Sequence, residues 1–232
     1  MREIVLDTET TGLDPAQGHR MVEVGCIEII NKVRTGKYFH AYINPERSMP
    51  AEAERVHGLS GSFLADKPRF AEIADALLEF LGAAPLVIHN AAFDMKFLRA
   101  ELARLEHVAQ ALENAAVVDT LKIAREKFPG SPANLDALCR RFEVDLSART
   151  QHGALLDAEL LAEVYLELCG GRQTALQLGK TSISTSSDAD RPNNQRTPVP
   201  MRQFAPSAEE QAAHAQLIES LVDPLWKAYK VG

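Results

Sequence analysis

The chain has 232 residues, which is enough for one good-sized domain and an appended segment. Apolar residues make up 46% of it and charged residues 25%, as in ordinary globular proteins. The net charge of -7 argues against a broad basic surface that coats DNA, so any contact with nucleic acid should be local or helped by a partner.

Cysteine usage and hydropathy predict the compartment. Cys26, Cys139 and Cys169 are scattered and show no C-x-x-C spacing, which predicts reduced, buried thiols in a cytoplasmic protein. The amino terminus has no apolar signal segment, and the chain has no apolar run long enough to cross a bilayer. We therefore expect no contact with a membrane.

The first predicted strand runs directly into an acidic motif. Residues 3–6 are typical of a buried strand, and they are followed by Asp7-Thr8-Glu9-Thr10-Thr11-Gly12. Because alternate residues of a strand project from one face, Asp7 and Glu9 place two carboxylates side by side. Two such charges repel unless a cation lies between them, and oxygen ligands at this spacing suit Mg²⁺ or Mn²⁺. The alternative is an acidic pair on an edge strand that faces water.

The remaining patterns predict an α/β fold. Met21–Val33 and Gly36–Ile43 read as a hairpin that extends the strand Glu3–Asp7 into an antiparallel meander. Two further short strands, Pro85–His89 and Val117–Val118, alternate with stretches of helical pattern, which are Ala51–Val56, Phe70–Leu81, Phe93–Leu105, Thr120–Lys127, Leu135–Phe142 and His152–Cys169. This order favours a mixed sheet covered by helices, with the first strand near the middle and substrate bound beside its exposed end.

Three more residues are candidates for chemistry. Asp94 opens a predicted helix, where the alternative role of an acid is to stabilise the helix dipole. His152 precedes Asp157 by five positions, which in one continuous helix would separate their side chains by about 140°. The two can converge only if His152 lies on a loop before the helix, and Gly153 makes that break possible. A loop imidazole can exchange protons near neutral pH, and the alternative is a capping or surface histidine.

The composition changes after Gly171. Gly179–Ser207 is rich in Ser, Thr, Pro, Asn and Asp, which predicts a flexible linker. Ser207-Ala208-Glu209-Glu210 is a capping box that should begin a helix, and Pro224 should kink or split that helix. Its apolar stripe comprises Leu217, Ile218, Leu221, Val222, Leu225, Trp226 and Tyr229. The stripe can either fold back on the domain or dock on a partner, and the long linker favours a partner.

Taken together, the ordered motifs resemble those of the DEDDh family of 3'→5' exonucleases. The resemblance covers residues 1 to about 170 and shows no departure at a catalytic position. It is carried by Asp7 to Gly12, Val56-His57-Gly58-Leu59, Val87-Ile88-His89-Asn90-Ala91-Ala92-Phe93-Asp94, Asn134-Leu135-Asp136-Ala137-Leu138-Cys139 and His152-Gly153-Ala154-Leu155-Leu156-Asp157-Ala158.

The resemblance implies a fold, a mechanism and a set of site residues. The fold would be RNase H-like, with Asp7, Glu9, Asp94 and Asp157 holding two Mg²⁺ or Mn²⁺ ions. His152 would be the general base that activates the attacking water. Substrate would be bound by Asp7, Glu9, Glu52, His57 and Asp157, with Glu52 and His57 touching the terminal nucleotide.

The resemblance also implies partners, because the motifs are similar to those of proofreading subunits of bacterial replicative polymerases. The chain would divide into an exonuclease domain (1–171), a flexible linker (172–206) and a helical tail (207–232). The linker would carry a peptide at 173–178, Gln173-Thr174-Ala175-Leu176-Gln177-Leu178, that binds the sliding clamp. Residues 207–229 would bind the polymerase subunit itself, a further small subunit could join, and the substrate would be a single-stranded or frayed DNA 3' end.

Two other functions compete with a proofreading exonuclease. One is an RNA-trimming DEDDh enzyme, against which the linker and tail argue, since a free-standing trimmer has no need of them. The other is a non-catalytic scaffold that bridges polymerase and clamp. The intact acidic set and His152 argue against the scaffold.

Overall fold

A computed structural model describes residues 1–147, 151–171 and 206–220 of the chain. The chain divides into two units, Met1–Leu178 and Gly179–Gly232. The predicted clamp peptide, most of the predicted linker, Pro224 and the stripe residues from Leu221 onward lie outside the described residues.

The first unit contains one mixed five-stranded sheet. Its strands are β1 (Arg2–Thr10), β2 (Met21–Ile30), β3 (Val33–Tyr42), β4 (Leu86–Ile88) and β5 (Val117–Asp119), in the order β3-β2-β1-β4-β5. The first three strands pair antiparallel, whereas β4 runs parallel to β1 and β5 parallel to β4. The predicted meander and the central position of the first strand are therefore confirmed. β1 is longer than predicted, so both Asp7 and Glu9 lie within the paired strand.

The helices agree closely with the predicted periodicities. After a short 3₁₀ turn (Pro15–Gln17), they are α1 (Ala51–His57), α2 (Gly61–Leu64), α3 (Phe70–Leu81), α4 (Ala91–Leu102), α5 (Thr120–Lys127), α6 (Leu135–Arg141), α7 (Ala154–Leu168) and α8 (Ala208–Ser220). The largest difference is in α4, which begins at Ala91 instead of Phe93 and ends at Leu102. The turn before α4 ends at Asn90, which has a φ of 66°. The single turn α2 was missed because four residues are too few to show a period.

Both faces of the sheet are covered, and β1 is buried between them. Ile4 and Leu6 pack into the layer that contains α3 and α4, whereas Val5 packs into the layer that contains α6 and α7. The alternation of β1 therefore places Asp7 and Glu9 on the α7 face and Thr8 on the α4 face. A strand packed on both sides has little freedom to move, so its acidic end is held rigidly.

Helix α7 is attached to the sheet at its far end by a polar cluster. Tyr165 donates a hydrogen bond from its hydroxyl to Glu3 Oε1 at 2.8 Å, and Lys32 Nζ lies 2.6 Å from both Glu3 oxygens. Glu3 and Tyr165 are both buried, which explains why an acid is tolerated at the start of β1.

One expectation about the thiols is wrong. Cys26 and Cys139 are free and buried as predicted, but Cys169 is exposed. Cys169 directly follows Leu168, the last residue of α7, so it lies beyond the part of the helix that packs in the core.

In the second unit, α8 begins at the predicted capping box. Ser207 N–H donates to Glu210 Oε2 at 2.8 Å, and Glu210 N–H donates to Ser207 Oγ at 3.2 Å. Leu217, one of the predicted stripe residues, is exposed. Within the described ranges, no helix combines the length and the apolar character needed to span a membrane.

The start of α7 packs directly on β2, which makes Gly25 a test of this architecture. A Cβ at Gly25 would lie 2.4 Å from the backbone of Ala154 and Leu155. We expect Gly25→Ala to lower the free energy of unfolding by about 1–3 kcal/mol, because helix and strand must separate. Chemical denaturation measures it, with Gly61→Ala as the control, since a Cβ there meets nothing closer than 3.6 Å. Equal midpoints for the two variants would contradict the packing.

Candidate active site

The acidic pair of β1 lies at the carboxyl end of the buried strand. Both Asp7 and Glu9 are partly accessible, while the intervening Thr8 is buried. The pKa of Asp7 is raised well above its ordinary range, first by burial and then by repulsion from Asp94, Glu9 and Asp157. The four acids predicted from the sequence therefore lie close enough for their negative charges to repel one another.

Asp94 approaches this pair from the opposite face of the sheet. It lies in the first turn of α4 and is 3% exposed. The hydroxyl of Thr8 donates to Asp94 Oδ1 at 2.7 Å, which ties the helix to the central strand. Burial raises the pKa of Asp94 to about 7, although the hydrogen bond from Thr8 acts in the other direction.

His152 lies on a loop, as the spacing to Asp157 requires. Gly153 is the N-cap of α7, so the helix begins at Ala154 and carries Asp157 in its first turn. His152 Nδ1 lies 3.2 Å from Asp157 Oδ2, and the backbone N–H of His152 donates to the Val56 carbonyl at 3.3 Å. The break in the chain thus removes the 140° separation that a continuous helix would impose.

Glu9, His152 and Asp157 form the tightest group at this site. One ligand atom from each lies within 4.8 Å of the other two. Among the described residues, Asp7 and Asp94 are outside this tight group. Asp7 nevertheless lies close enough to Asp94, Glu9 and Asp157 for their charges to raise its pKa.

The donor set fits a hard divalent cation. Four carboxylates converge here. Burial raises the pKa values of Asp7 and Asp94, and repulsion from the neighbouring acids raises that of Asp7 further. A cation between them would remove that penalty, and oxygen ligands are those that Mg²⁺ and Mn²⁺ prefer. Imidazole is a less usual ligand for these ions, so His152 is better suited to proton transfer.

A cleft of about 550 Å³ opens beside this cluster. Glu9, Glu52 and His57 all line it, so the structure places both predicted nucleotide-contacting residues next to the acidic pair. The remaining walls come from the residues after β1, the start of α1 and Phe93.

His57 faces this cleft as a neutral imidazole. It is 4% exposed and is the last residue of α1, one residue beyond the predicted helix Ala51–Val56. Leu59 N–H donates to its Nδ1 at 3.0 Å, which leaves the proton on Nε2. Within the described residues Nε2 has no hydrogen-bond partner. Burial is the main reason that its pKa is lowered.

Two residues of the site were not found by sequence reasoning. The sequence patterns assigned no role to Thr8 or to Glu23. Glu23 lies opposite Glu9 in the β1–β2 register and is only 3% exposed. The signal that could have found it is an acid between apolar neighbours in a strand buried on both faces.

The fold and the acidic cleft define an exonuclease domain. Residues 4–165 match the family model described as an exonuclease. The nuclease domain of 3'hExo, a DEDDh family member bound to rAMP, superposes with a TM-score of 0.61 at 16% identity, covering 72% of this chain and 90% of that one. An E. coli ExoI–ssDNA complex gives a TM-score of 0.63 at 18% identity, covering 74% and 41%. At these identities the likeness supports the fold alone.

Relatives at higher identity narrow the class. The DNA polymerase III subunit epsilon of Rickettsia felis is 54% identical over 223 residues, which cover 96% of this chain and 97% of the relative. The protein of the same name from Escherichia coli K12 is 48% identical over 176 residues, covering 74% and 72%. The chain belongs to the family of DNA polymerase III epsilon subunits, and it is a 3'→5' exonuclease.

Burial of the Asp94 carboxylate should destabilise the cation-free protein at high pH. Folding raises the pKa of Asp94 from 3.8 to about 7. Protonated Asp94 therefore contributes its full stabilisation of the folded state below pH 3.8, and that stabilisation is lost as the pH rises through about 7. We expect Asp94→Asn to raise the free energy of unfolding by about 1–4 kcal/mol at pH 8 in EDTA, and by much less at pH 4. Thermal unfolding at both pH values measures the difference.

Asp66→Asn is the matched control, because the Asp66 side chain is 77% exposed. It should shift the unfolding midpoint equally little at both pH values. A stabilisation by Asp94→Asn that is the same at pH 4 and pH 8 would contradict the assignment of the penalty to ionised Asp94.

Proposed function

We propose that this exonuclease is the proofreading subunit of bacterial DNA polymerase III. It would remove the terminal nucleotide from a single-stranded or frayed DNA 3' end and release a nucleoside 5'-monophosphate. The single observation that carries the proposal is the convergence of Glu9, His152 and Asp157 beside Asp7, with Glu9 also lining the adjacent cleft. The names and nearly full-length coverage of the relatives support the polymerase as its context.

Asp7, Glu9, Asp94 and Asp157 would hold two Mg²⁺ or Mn²⁺ ions. When bound, such ions stabilise the negative charge that develops on the attacking and leaving oxygens of a phosphodiester. The rigid β1 supplies Asp7 and Glu9, while Asp94 and Asp157 are supplied by the first turns of two helices on opposite faces. This arrangement supports a preformed site, because each element is fixed by packing before substrate arrives.

His152 would be the general base. With its Nδ1–H directed at Asp157, the lone pair is on Nε2, which can take a proton from the attacking water. The water oxygen bonds to phosphorus, and the bond from phosphorus to the 3' oxygen of the preceding nucleotide breaks. The shortened strand then gains a proton on its new 3' hydroxyl, and the terminal nucleotide leaves with the phosphate.

Glu52 and His57 would bind the terminal nucleotide. The Nε2–H of His57 is a buried donor in the wall of the cleft, and a sugar or phosphate oxygen would satisfy it. Asp7, Glu9 and Asp157 would contact the same nucleotide through the bound ions. A neutral imidazole adds a donor without adding positive charge to the cleft.

Residues beyond the catalytic domain would connect it to the replication machinery in the cytoplasm. We assign 1–171 to the exonuclease domain, 172–206 to a linker with a clamp-binding peptide at 173–178, and 207–232 to the tail. Residues 207–229 would bind the polymerase III alpha subunit, and a further small subunit could also join. The exposed Leu217 on a capped helix supports a docking role for the tail.

Loss of the proposed general base, His152, should have a different effect from loss of a proposed metal ligand, Asp7. We expect His152→Ala to lower the rate of hydrolysis of single-stranded DNA by ~10²–10⁴-fold while Mn²⁺ still stabilises the protein. Asp7→Ala should lose both the activity and most of that stabilisation. Gel assays of a 5'-labelled oligonucleotide and thermal shifts with Mn²⁺ measure the two properties.

His107→Ala is the control, since His107 is exposed and paired with Asp75 away from the cleft. Unchanged hydrolysis in His152→Ala would remove the base from the mechanism. The same assay with RNA of equal sequence tests the alternative substrate, and a tenfold preference for RNA would favour the RNA-trimming enzyme.

Truncation after Leu178 should separate the proposed partners. The truncated chain keeps the candidate clamp peptide and loses the tail, so we expect it to retain nuclease activity and clamp binding but lose the polymerase. Size-exclusion chromatography with each purified partner makes the measurement. Co-elution of the truncated chain with the polymerase subunit would contradict the assignment of 207–229.

A further inference from the structure

Helix α7 begins without a cap of its own. Its N-cap is Gly153, which has no side chain to accept hydrogen bonds from the first turn. The acceptor comes instead from the sheet, because Ala154 N–H donates to Glu23 Oε2 at 3.1 Å. Glu23 and Ala154 are both buried, so water cannot replace this contact.

The second oxygen of Glu23 is held by the next strand. His40 Nε2 on β3 donates to Glu23 Oε1 at 2.7 Å, and that oxygen is thereby fixed. Protein groups therefore bind both carboxylate oxygens of Glu23.

A second contact fixes the same helix end against β2. Gly25 projects from the same face of β2 as Glu23, and the backbone of Ala154 and Leu155 occupies the space where a Cβ would be. Gly25 allows α7 to approach β2 closely, and the Glu23 carboxylate determines that Ala154 N–H is the backbone group bonded to β2. Together they determine the position and rotation of the first turn.

That first turn carries the reactive groups. His152 precedes Ala154 by two residues and Asp157 follows it by three, and their side chains meet at 3.2 Å. A displacement of the helix start would move both at once. Misplacement of catalytic groups by about 1 Å can reduce the rate by up to ~100-fold.

We propose that Glu23 is a positioning residue that caps α7 from the neighbouring strand and thereby places His152 and Asp157 for hydrolysis. This inference rests on the proposed function of the site. The role requires an acceptor oxygen at the right reach and does not require charge. The charge is even unfavourable locally, because Glu23 is among the groups that raise the pKa of Asp7.

Two variants of Glu23 distinguish the effect of side-chain length from the effect of negative charge. Glu23→Gln keeps the length and an acceptor oxygen for Ala154, and its amide can donate to His40 Nε2 once the imidazole carries its proton on Nδ1. We expect its kcat on single-stranded DNA to stay within about threefold of the wild type. Glu23→Asp keeps the charge but is one methylene shorter, so we expect kcat to fall ~10–100-fold with KM changed by less than about twofold.

Glu28 supplies the matched control on the same strand. It is 4% exposed and is paired with Arg2 and Thr35. Glu28→Gln and Glu28→Asp should leave kcat unchanged, with all rates measured below the lowest unfolding midpoint of the set.

The order of the two Glu23 variants decides the proposal. If Glu23→Asp is as active as Glu23→Gln, or more active, charge matters more than reach and the proposal is overturned. A loss in Glu28→Asp equal to that in Glu23→Asp would also overturn it, because any shortened buried acid would then suffice. A wild-type protein that does not degrade DNA would instead refute the proposed function, which keeps the two failures distinct.

Discussion

The structure depends on holding several carboxylates together against their mutual repulsion. Asp7 lies beside Glu9, Asp94 and Asp157, and its pKa is raised because burial and these neighbours all disfavour its charge. Such an arrangement persists only if the surrounding fold is rigid enough to impose it. Burial of β1 between two layers provides that rigidity, and the repulsion becomes the driving force for binding cations.

The two faces of the sheet contribute different parts of the site. The α7 face supplies Asp157 and His152, next to Asp7 and Glu9. The α4 face supplies Asp94, and Thr8 holds it from the other side of the same strand. Thr8, between Asp7 and Glu9, thus holds Asp94 in place, and the three residues of the motif contact side chains on both faces of the sheet.

Much of the fold was accessible from pattern alone. The helices Phe70–Leu81 and Thr120–Lys127 were predicted with their observed ends, because amphipathic periodicity and capping residues are local properties. The start of α4 was placed two residues late because a positive φ at Asn90, which a non-glycine residue adopts infrequently, makes the turn shorter than expected. The exposure of Cys169 was missed because composition does not reveal where a helix leaves the core.

The sequence by itself determined the candidate acids, the candidate base and the order of the elements that carry them, since these follow from residue type, spacing and local periodicity. Only the tertiary structure decided that Glu9, His152 and Asp157 form the tightest group, and that Glu23 and Thr8 support it. The physical reason is that strand register and helix docking bring together side chains that are far apart along the chain. No local pattern specifies the angstrom-scale distances on which coordination and proton transfer depend.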